Sequence, residues 1–399
     1  MCSVALTIAA FMPYERVFAD EILENEPFAE VFSADECRDF VPPAIEAGAA
    51  IVVDAESGRI LYEKNAYSRK AMASTTKIMT AIIALENGRL DDVVTVSKRA
   101  ASIRGSTINL REGQKMTLRE MLYGLMLNSG NDAAIAIAEH VGGSVEGFID
   151  MMNRKAAQVG ARDTHFMSPH GLDADGHYST AYDLAVITRY ALQNPLFSEI
   201  VGTRTVSIQT GDLRNTNEML SIYPGADGVK TGYTGKAGRC LVTSATRDGW
   251  RIISVVLNCA TRYKRAKSSK LILDYAFNSY KPYKIQKAGD IIRKLPVVKG
   301  IENLVDIKAS EEISIPLKDV EAGLIETKVH LPDKLDAPVY AGVSVGHVQY
   351  LLNGKAIAES ELAAWSDVRR KGFLDHLGDV FKAWCKMMRE GMFYYCSYK

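Results

Sequence analysis

The chain has 399 residues, 47% apolar and 24% charged, a balance that can bury a large core and a length that exceeds the usual single domain. Its 48 Lys and Arg are matched by 48 Asp and Glu, so there is no basic excess of the kind a nucleic-acid partner asks for. No apolar run reaches the roughly 18 residues of an ordinary membrane-spanning helix.

The chain opens with Cys2 to Met12, almost entirely apolar, and Val17-Phe18-Ala19 precedes Asp20. This pattern predicts an export signal over residues 1–19, cleaved after Ala19. The cysteines that remain are odd in number and scattered, with no CxxC pair, so neither a disulfide framework nor a zinc site is expected. Cys240 and Cys259 sit in strand-like runs and read as buried thiols. Residues 20–43 form an acidic lead-in that ends at Pro42-Pro43.

Residues 44–280 read as one α+β domain. Ala49–Asp54 and Ile60–Glu63 are short apolar strands joined by the turn residues Ser57-Gly58-Arg59. Helical spacing follows over Thr75–Leu85, apolar on most sides, which predicts a central helix ending at Gly88. Thr117 and Glu120 have capping-box spacing and open a helix through Leu127. Further helices are expected over 132–140, 145–159 and 180–192. Strand patterns return at 205–209, 240–245 and 251–257, with Asp248-Gly249 as a hairpin turn. A last helix is expected over 268–277. Residues 282–360, where short β-branched runs alternate with Gly, Pro and Asp turns, read as a small all-β domain.

Residues 361–399 carry Phe373, Leu377, Phe381, Trp384 and Met388 on one helical face, with Lys382, Lys386 and Arg389 off it. That pattern predicts an amphipathic helix lying in a membrane interface; packing against a partner or the β domain is the other reading.

Three short motifs carry chemistry. In Ser74-Thr75-Thr76-Lys77 a serine and a lysine share one helical face, where a lysine amine can take the serine proton. Ser129-Gly130-Asn131 lies between two helices, and Lys230-Thr231-Gly232 precedes a strand pair. Each alone is weak. In this order they match serine enzymes with SxxK, SxN and KTG elements. His170 and His177 read as structural.

With the longer stretches around them the chain resembles the D-alanyl-D-alanine carboxypeptidases of the low-molecular-mass penicillin-binding class, the serine peptidase S11 family. The resemblance runs over about residues 44–360. It rests on Ala73–Thr80, Ser129–Ala134, Asp227–Thr234, Pro169–Leu172 and His177–Ala181. It implies a β-lactamase/transpeptidase-like domain, an antiparallel sheet flanked by helices, then a small β domain and a C-terminal amphipathic helix. Carried over by motif, Ser74 would be the acylated nucleophile, Lys77 its base, and Ser129 and Lys230 the proton path to the leaving group. Asn131, Thr231, Gly232, Tyr233 and Arg265 would bind substrate. The backbone N–H groups of Ser74 and Tyr233 would form the oxyanion hole, and Arg265 would hold the terminal carboxylate. The substrate would be a peptidoglycan stem peptide ending in D-Ala-D-Ala, with β-lactams as inhibitors and no metal or organic cofactor. The implied location is the outer face of the cytoplasmic membrane. A class A β-lactamase shares the motifs but uses a loop glutamate, and none occurs between Gly160 and Tyr178. A non-catalytic cell-wall binding protein would not need all of Ser74, Lys77, Ser129 and Lys230.

Overall fold

A computed structural model describes residues 41–396. The predicted export signal lies outside the described residues. The chain divides into two units, one ending at Ser279 and the other starting at Tyr280.

The first unit is built on a five-stranded antiparallel sheet. Its order is Ile60–Lys64, Ala47–Asp54, Trp250–Cys259, Gly238–Arg247 and Ala226–Thr234. The sheet's first and last strands in sequence meet at its centre, where Ile51 lies opposite Val255. Trp250–Cys259 is apolar without strict alternation because both its faces are covered. Ile253, Val255 and Leu257 enter the main core. On the other face the Ser254 hydroxyl meets Ser269 of the helix Arg262–Ser279 at 2.9 Å. The Asp248-Gly249 turn joins two of these strands with both residues at positive φ, as the dipeptide predicts.

The helix Lys77–Asn87 is buried along eight successive residues, Lys77 to Ala84, which makes it the axis of the helical layer. Helices Leu118–Leu127, Asn131–Gly142, Val145–Gln158 and Ala181–Leu192 pack around it. Thr117 and Glu120 exchange both bonds of a capping box and set the start of the first of these.

Two local readings change. The last helix starts at Arg262 instead of residue 268, so the basic run around Arg265 is a helical turn with Arg265 buried. The strand Ala226–Thr234, which carries Lys230, is one the sequence pattern misses, so the KTG triplet lies inside a strand as well as ahead of the expected pair, Gly238–Arg247 and Trp250–Cys259.

The second unit holds a six-stranded sheet and the separate pair Lys281–Gln286 with Ile313–Leu317. Leu295, Val305, Ile307, Val348, Tyr350 and Leu362 form its core. The boundary at 360/361 needs correction, because it cuts through the strand Lys355–Ala364. Leu362, Ala364 and Val368 are buried in this unit. Val368 pairs with Val339 and Arg370 with Gly300, so the β unit continues to Arg370. The terminal helix runs Phe373–Cys396, and Phe373, Leu377, Phe381, Trp384 and Met388 are all exposed on it. Among the described residues no helix is long and apolar enough to cross a membrane.

Candidate active site

Ser74 stands in a tight 3-10 turn, Ala73–Thr76, immediately before the central helix. Ala73 has φ +48°, a conformation that costs an L-residue energy and is held here by its surroundings. Thr75 and Thr76 bind the turn from within, donating to Met72 O at 2.6 Å and Ala73 O at 2.8 Å. The Ser74 side chain remains partly exposed while its neighbours are buried.

Lys77 is fully buried, and its Nζ donates to three neutral oxygens: Ser74 Oγ at 2.9 Å, Asn131 Oδ1 at 2.8 Å and His170 O at 2.7 Å. Three elements distant in sequence thus aim one amine at one hydroxyl. Asn131 is itself fixed, since its Nδ2 donates to Arg104 O at 2.8 Å. Its oxygen is therefore committed to Lys77, and a substrate carbonyl is left the second hydrogen of Nδ2. Ser129 precedes it at φ +61°, and its buried Oγ has no hydrogen-bond partner among the described residues. A buried hydroxyl in this condition favours an incoming donor or acceptor.

The strand Ala226–Thr234 forms the sheet edge facing the nucleophile turn. Lys230 and Thr231 are buried on it. A Cβ at Gly232 would lie 2.8 Å from Ser74 N, so only glycine lets this backbone approach the nucleophile so closely. Gly171 serves the opposite side, where its φ of +90° brings it against Ala73 O. Tyr233 follows Gly232, and the Arg239 guanidinium lies over its ring at 4.0 Å from the centroid. Thr231 shares a hydrogen bond of 2.9 Å with Thr216.

Arg265 is less simply placed. Its guanidinium is clamped by the carboxylate of Glu218, with Nη2 at 2.6 Å and 2.7 Å and Nε at 3.2 Å. Both lie on a cavity of about 370 Å³ that Thr231 also lines. The structure therefore joins Ser74, Lys77 and Asn131 by direct bonds, sets Gly232 against Ser74, and reaches Arg265 through the cavity beside Thr231.

Several supporting residues escaped the motif reading. Asp132 accepts from the N–H groups of Ile108, Leu110 and Ala133, tying the loop before the second helix to the SxN corner. Burial pushes its carboxyl pKa up against these bonds. Thr80 donates to Pro169 O at 2.6 Å and holds the segment that presents His170 O. His177 Nδ1 accepts from Met167 N, so its Nε2 carries the hydrogen that meets Thr76 Oγ1 at 2.9 Å. His170 Nδ1 likewise accepts from Leu172 N. Burial first, then the nearby Lys77 charge, lower the His170 pKa to about 3. Burial lowers that of His177 to about 4. Both rings are neutral struts of the site. Asp132 falls within the stretch Ser129–Ala134 and His177 within His177–Ala181, which are the signals that could have pointed to them; no spacing pointed to Glu218.

Comparisons with known proteins point to one family. A family model described as D-alanyl-D-alanine carboxypeptidase (Peptidase S11) matches residues 37–261, and one described as the penicillin-binding protein 5 C-terminal domain matches residues 280–370. The chain is 37% identical to the D-alanyl-D-alanine carboxypeptidase DacF of Bacillus subtilis, covering 86% of this chain and 91% of that one. It is 33% identical to DacA of Haemophilus influenzae over 88% and 92% of the two chains. Among solved structures it is similar to penicillin binding protein 5 from Haemophilus influenzae. That match has a TM-score of 0.75 and 31% identity over 83% of this chain and 100% of the other. It is also similar to PBP3 from Streptococcus pneumoniae, with a TM-score of 0.70 and 30% identity over 82% and 100%.

Proposed function

The chain belongs to the D-alanyl-D-alanine carboxypeptidase family of low-molecular-mass penicillin-binding proteins, and from that premise we propose how its residues divide the work. It is a serine-type carboxypeptidase that acts on peptidoglycan stem peptides and binds β-lactams. Its substrate places its action outside the cytoplasmic membrane.

With Lys77 as the neutral amine, its third proton given up beforehand, Ser74 Oγ attacks the carbonyl carbon between the two terminal D-alanines and that amine takes the hydroxyl proton across the contact in which the charged form donates to Ser74 Oγ. The bond of 2.9 Å between these groups is the observation that carries the assignment. The developing oxyanion lies between the backbone N–H groups of Ser74 and Tyr233, where fixed dipoles need no reorganisation. The tetrahedral adduct collapses, the C–N bond breaks, and a proton reaches the leaving amine through Ser129 and Lys230. D-Alanine departs and an ester remains on Ser74. Water then hydrolyses that ester and returns the serine. Asn131 and the Thr231–Tyr233 backbone align the peptide along the strand edge. Arg265 receives the terminal carboxylate. The steps use no metal or organic cofactor. A β-lactam carbonyl enters the same place, and its ring amide opens onto Ser74.

The helix Phe373–Cys396 lays its exposed apolar face in the membrane interface, with Lys382, Lys386 and Arg389 near anionic head groups. This gives a peripheral enzyme on the outer face of the cytoplasmic membrane, exported by the signal over residues 1–19.

Intact mass after penicillin exposure, followed by peptide mapping, tests the centre of this scheme. One penicilloyl group on the Ser74 peptide is expected, and none in Ser74→Ala. Labelling at another serine would remove Ser74 from the role. Release of D-alanine from an N-acyl D-Ala-D-Ala peptide, compared with hydrolysis of a chromogenic cephalosporin, separates a carboxypeptidase from a β-lactamase.

A further inference from the structure

The cavity beside Thr231 is lined by Arg214, Arg262 and Arg265 and by a single carboxylate, Glu218, which leaves it positive. Its wall contains a donor that motif reading does not assign. Asn217 is 2% exposed and stands in the wall between this cavity and a neighbouring one of about 310 Å³ that Arg204 and Leu220 also line. Its Oδ1 accepts the Met219 N–H at 3.1 Å, which settles the amide orientation. Its Nδ2 is buried and has no hydrogen-bond partner among the described residues.

The loop that presents it is rigid. The Asn217 N–H donates to Asn215 Oδ1 at 3.0 Å, and Asn215 Nδ2 donates to Val201 O and Thr203 O. A fixed, buried amide donor in a positive cavity calls for an anionic acceptor. Glu218 is the next residue, and its bidentate grip spans the Nε and Nη2 sides of Arg265. Such a grip fixes the guanidinium plane, and the side chains of the pair are only 4% and 5% exposed.

We propose that Asn217 and Glu218 complete the subsite for the leaving D-amino acid. Asn217 Nδ2 donates to the terminal carboxylate of the substrate, and Glu218 is a positioning residue that holds Arg265 to receive it. This rests on Arg265 being the carboxylate arginine. Glu218 also limits the cavity's positive charge, so a free amino-acid carboxylate is held firmly enough to orient the scissile bond and still leaves after cleavage.

The test is steady-state kinetics on an N-acyl D-Ala-D-Ala peptide with a free C-terminus and on its C-terminal amide, with thermal midpoints recorded for each protein. Asn217→Asp keeps the oxygen that receives Met219 N–H and replaces only the donor with a negative oxygen. It should raise KM for the free acid about tenfold or more, with kcat and the amide substrate changed by less than about threefold. Glu218→Gln should also raise KM for the free acid selectively. Arg265→Ala is the control for the underlying reading. If it abolishes acid-over-amide discrimination while Asn217→Asp leaves the discrimination intact, the new subsite is wrong and the arginine reading stands. If Arg265→Ala leaves discrimination unchanged, both fall. A fall in KM for Glu218→Gln would make Glu218 a competitor of the substrate and overturn its positioning role. Should Glu218→Gln not fold, Asn217→Asp decides the subsite and Glu218→Asp, with its shorter reach to Arg265, is expected to raise KM for the acid in Glu218's place; an unchanged KM there overturns the positioning.

Discussion

At the scale of single residues the site is a problem of aiming two groups that water would otherwise keep apart. Lys77 is held at Ser74 by three acceptors, and removing the amine leaves no other base one helical turn away. Lys77→Ala is expected to slow acylation by roughly 10²–10⁴, the usual worth of general acid–base catalysis. Stopped-flow acylation by penicillin measures this, and a normal rate would give the base role to another residue. The two histidines make a different prediction. Their folded pKa values, about 3 for His170 and about 4 for His177, lie below the ordinary 6.5. The unfolded chain therefore binds protons first as pH falls. Stability from these neutral rings is complete above pH 6.5 and is lost as pH drops from there toward 4 and then 3. For His177 the loss is on the order of 3 kcal/mol. The carboxyls of Asp132 and Asp183, raised chiefly by burial, work the other way and gain stability on acidification. Comparing thermal midpoints across this range in wild type and His177→Gln isolates the histidine. The variant should show a flatter acid limb, and equal slopes would contradict the neutral-strut role.

Among elements, the edge strand Ala226–Thr234 and the turn Ala73–Thr76 matter most, because the catalytic cleft is the seam between them. Gly232 sets their spacing. A methyl group there would meet the Ser74 backbone nitrogen, which cannot rotate away as a flexible side-chain end would. Gly232→Ala must push strand and turn apart, and a displacement near one ångström costs about 10²-fold in rate. The expected result is a protein with a near-native thermal midpoint and much slower penicillin acylation. Unchanged acylation would show that the seam tolerates the extra atom. The capping box at Thr117, by contrast, acts locally and is worth about 1 kcal/mol to its helix.

For the whole molecule, the tail raises the question of where the folded part stops. The strand Lys355–Ala364 and the bridge at Val368 belong to the second unit's core. A cut after Ser360 would strip Leu362, Ala364 and Val368 from it, and losses of a few kcal/mol per large apolar side chain would unfold that unit. A cut after Gly372 keeps Lys371, whose N–H donates to Lys299 O at 2.8 Å. It removes only the exposed helix. That truncated protein should remain folded, retain turnover on small peptides, and lose binding to vesicles of anionic lipid. Each of Lys382, Lys386 and Arg389 contributes about 1 kcal/mol to such binding near the surface. Co-sedimentation decides it: equal partition of both forms would return the apolar helix face to a protein partner.

Sequence alone determined the features that depend on neighbours a few residues apart. The SxxK pair, the Thr117–Glu120 capping box, the Asp248-Gly249 hairpin and the amphipathic tail all follow from helical or turn geometry, which a short window contains. Motif order also revealed the family, because three weak signals in a fixed order are jointly specific. Tertiary structure alone decided which distant groups meet. His170 O reaches Lys77 across 93 positions, and Glu218 reaches Arg265 across 47. Burial likewise depends on the assembled layers: Arg265 stands in the chain among Arg262, Lys264 and Lys267, and only the packed helix and cavity wall bury it and not them. The true end of the β unit was hidden for the same reason, since Val368 is held by a partner, Val339, on another segment of the chain. Local pattern is carried by backbone periodicity; partners across the chain are set by how the sheet and its helices close.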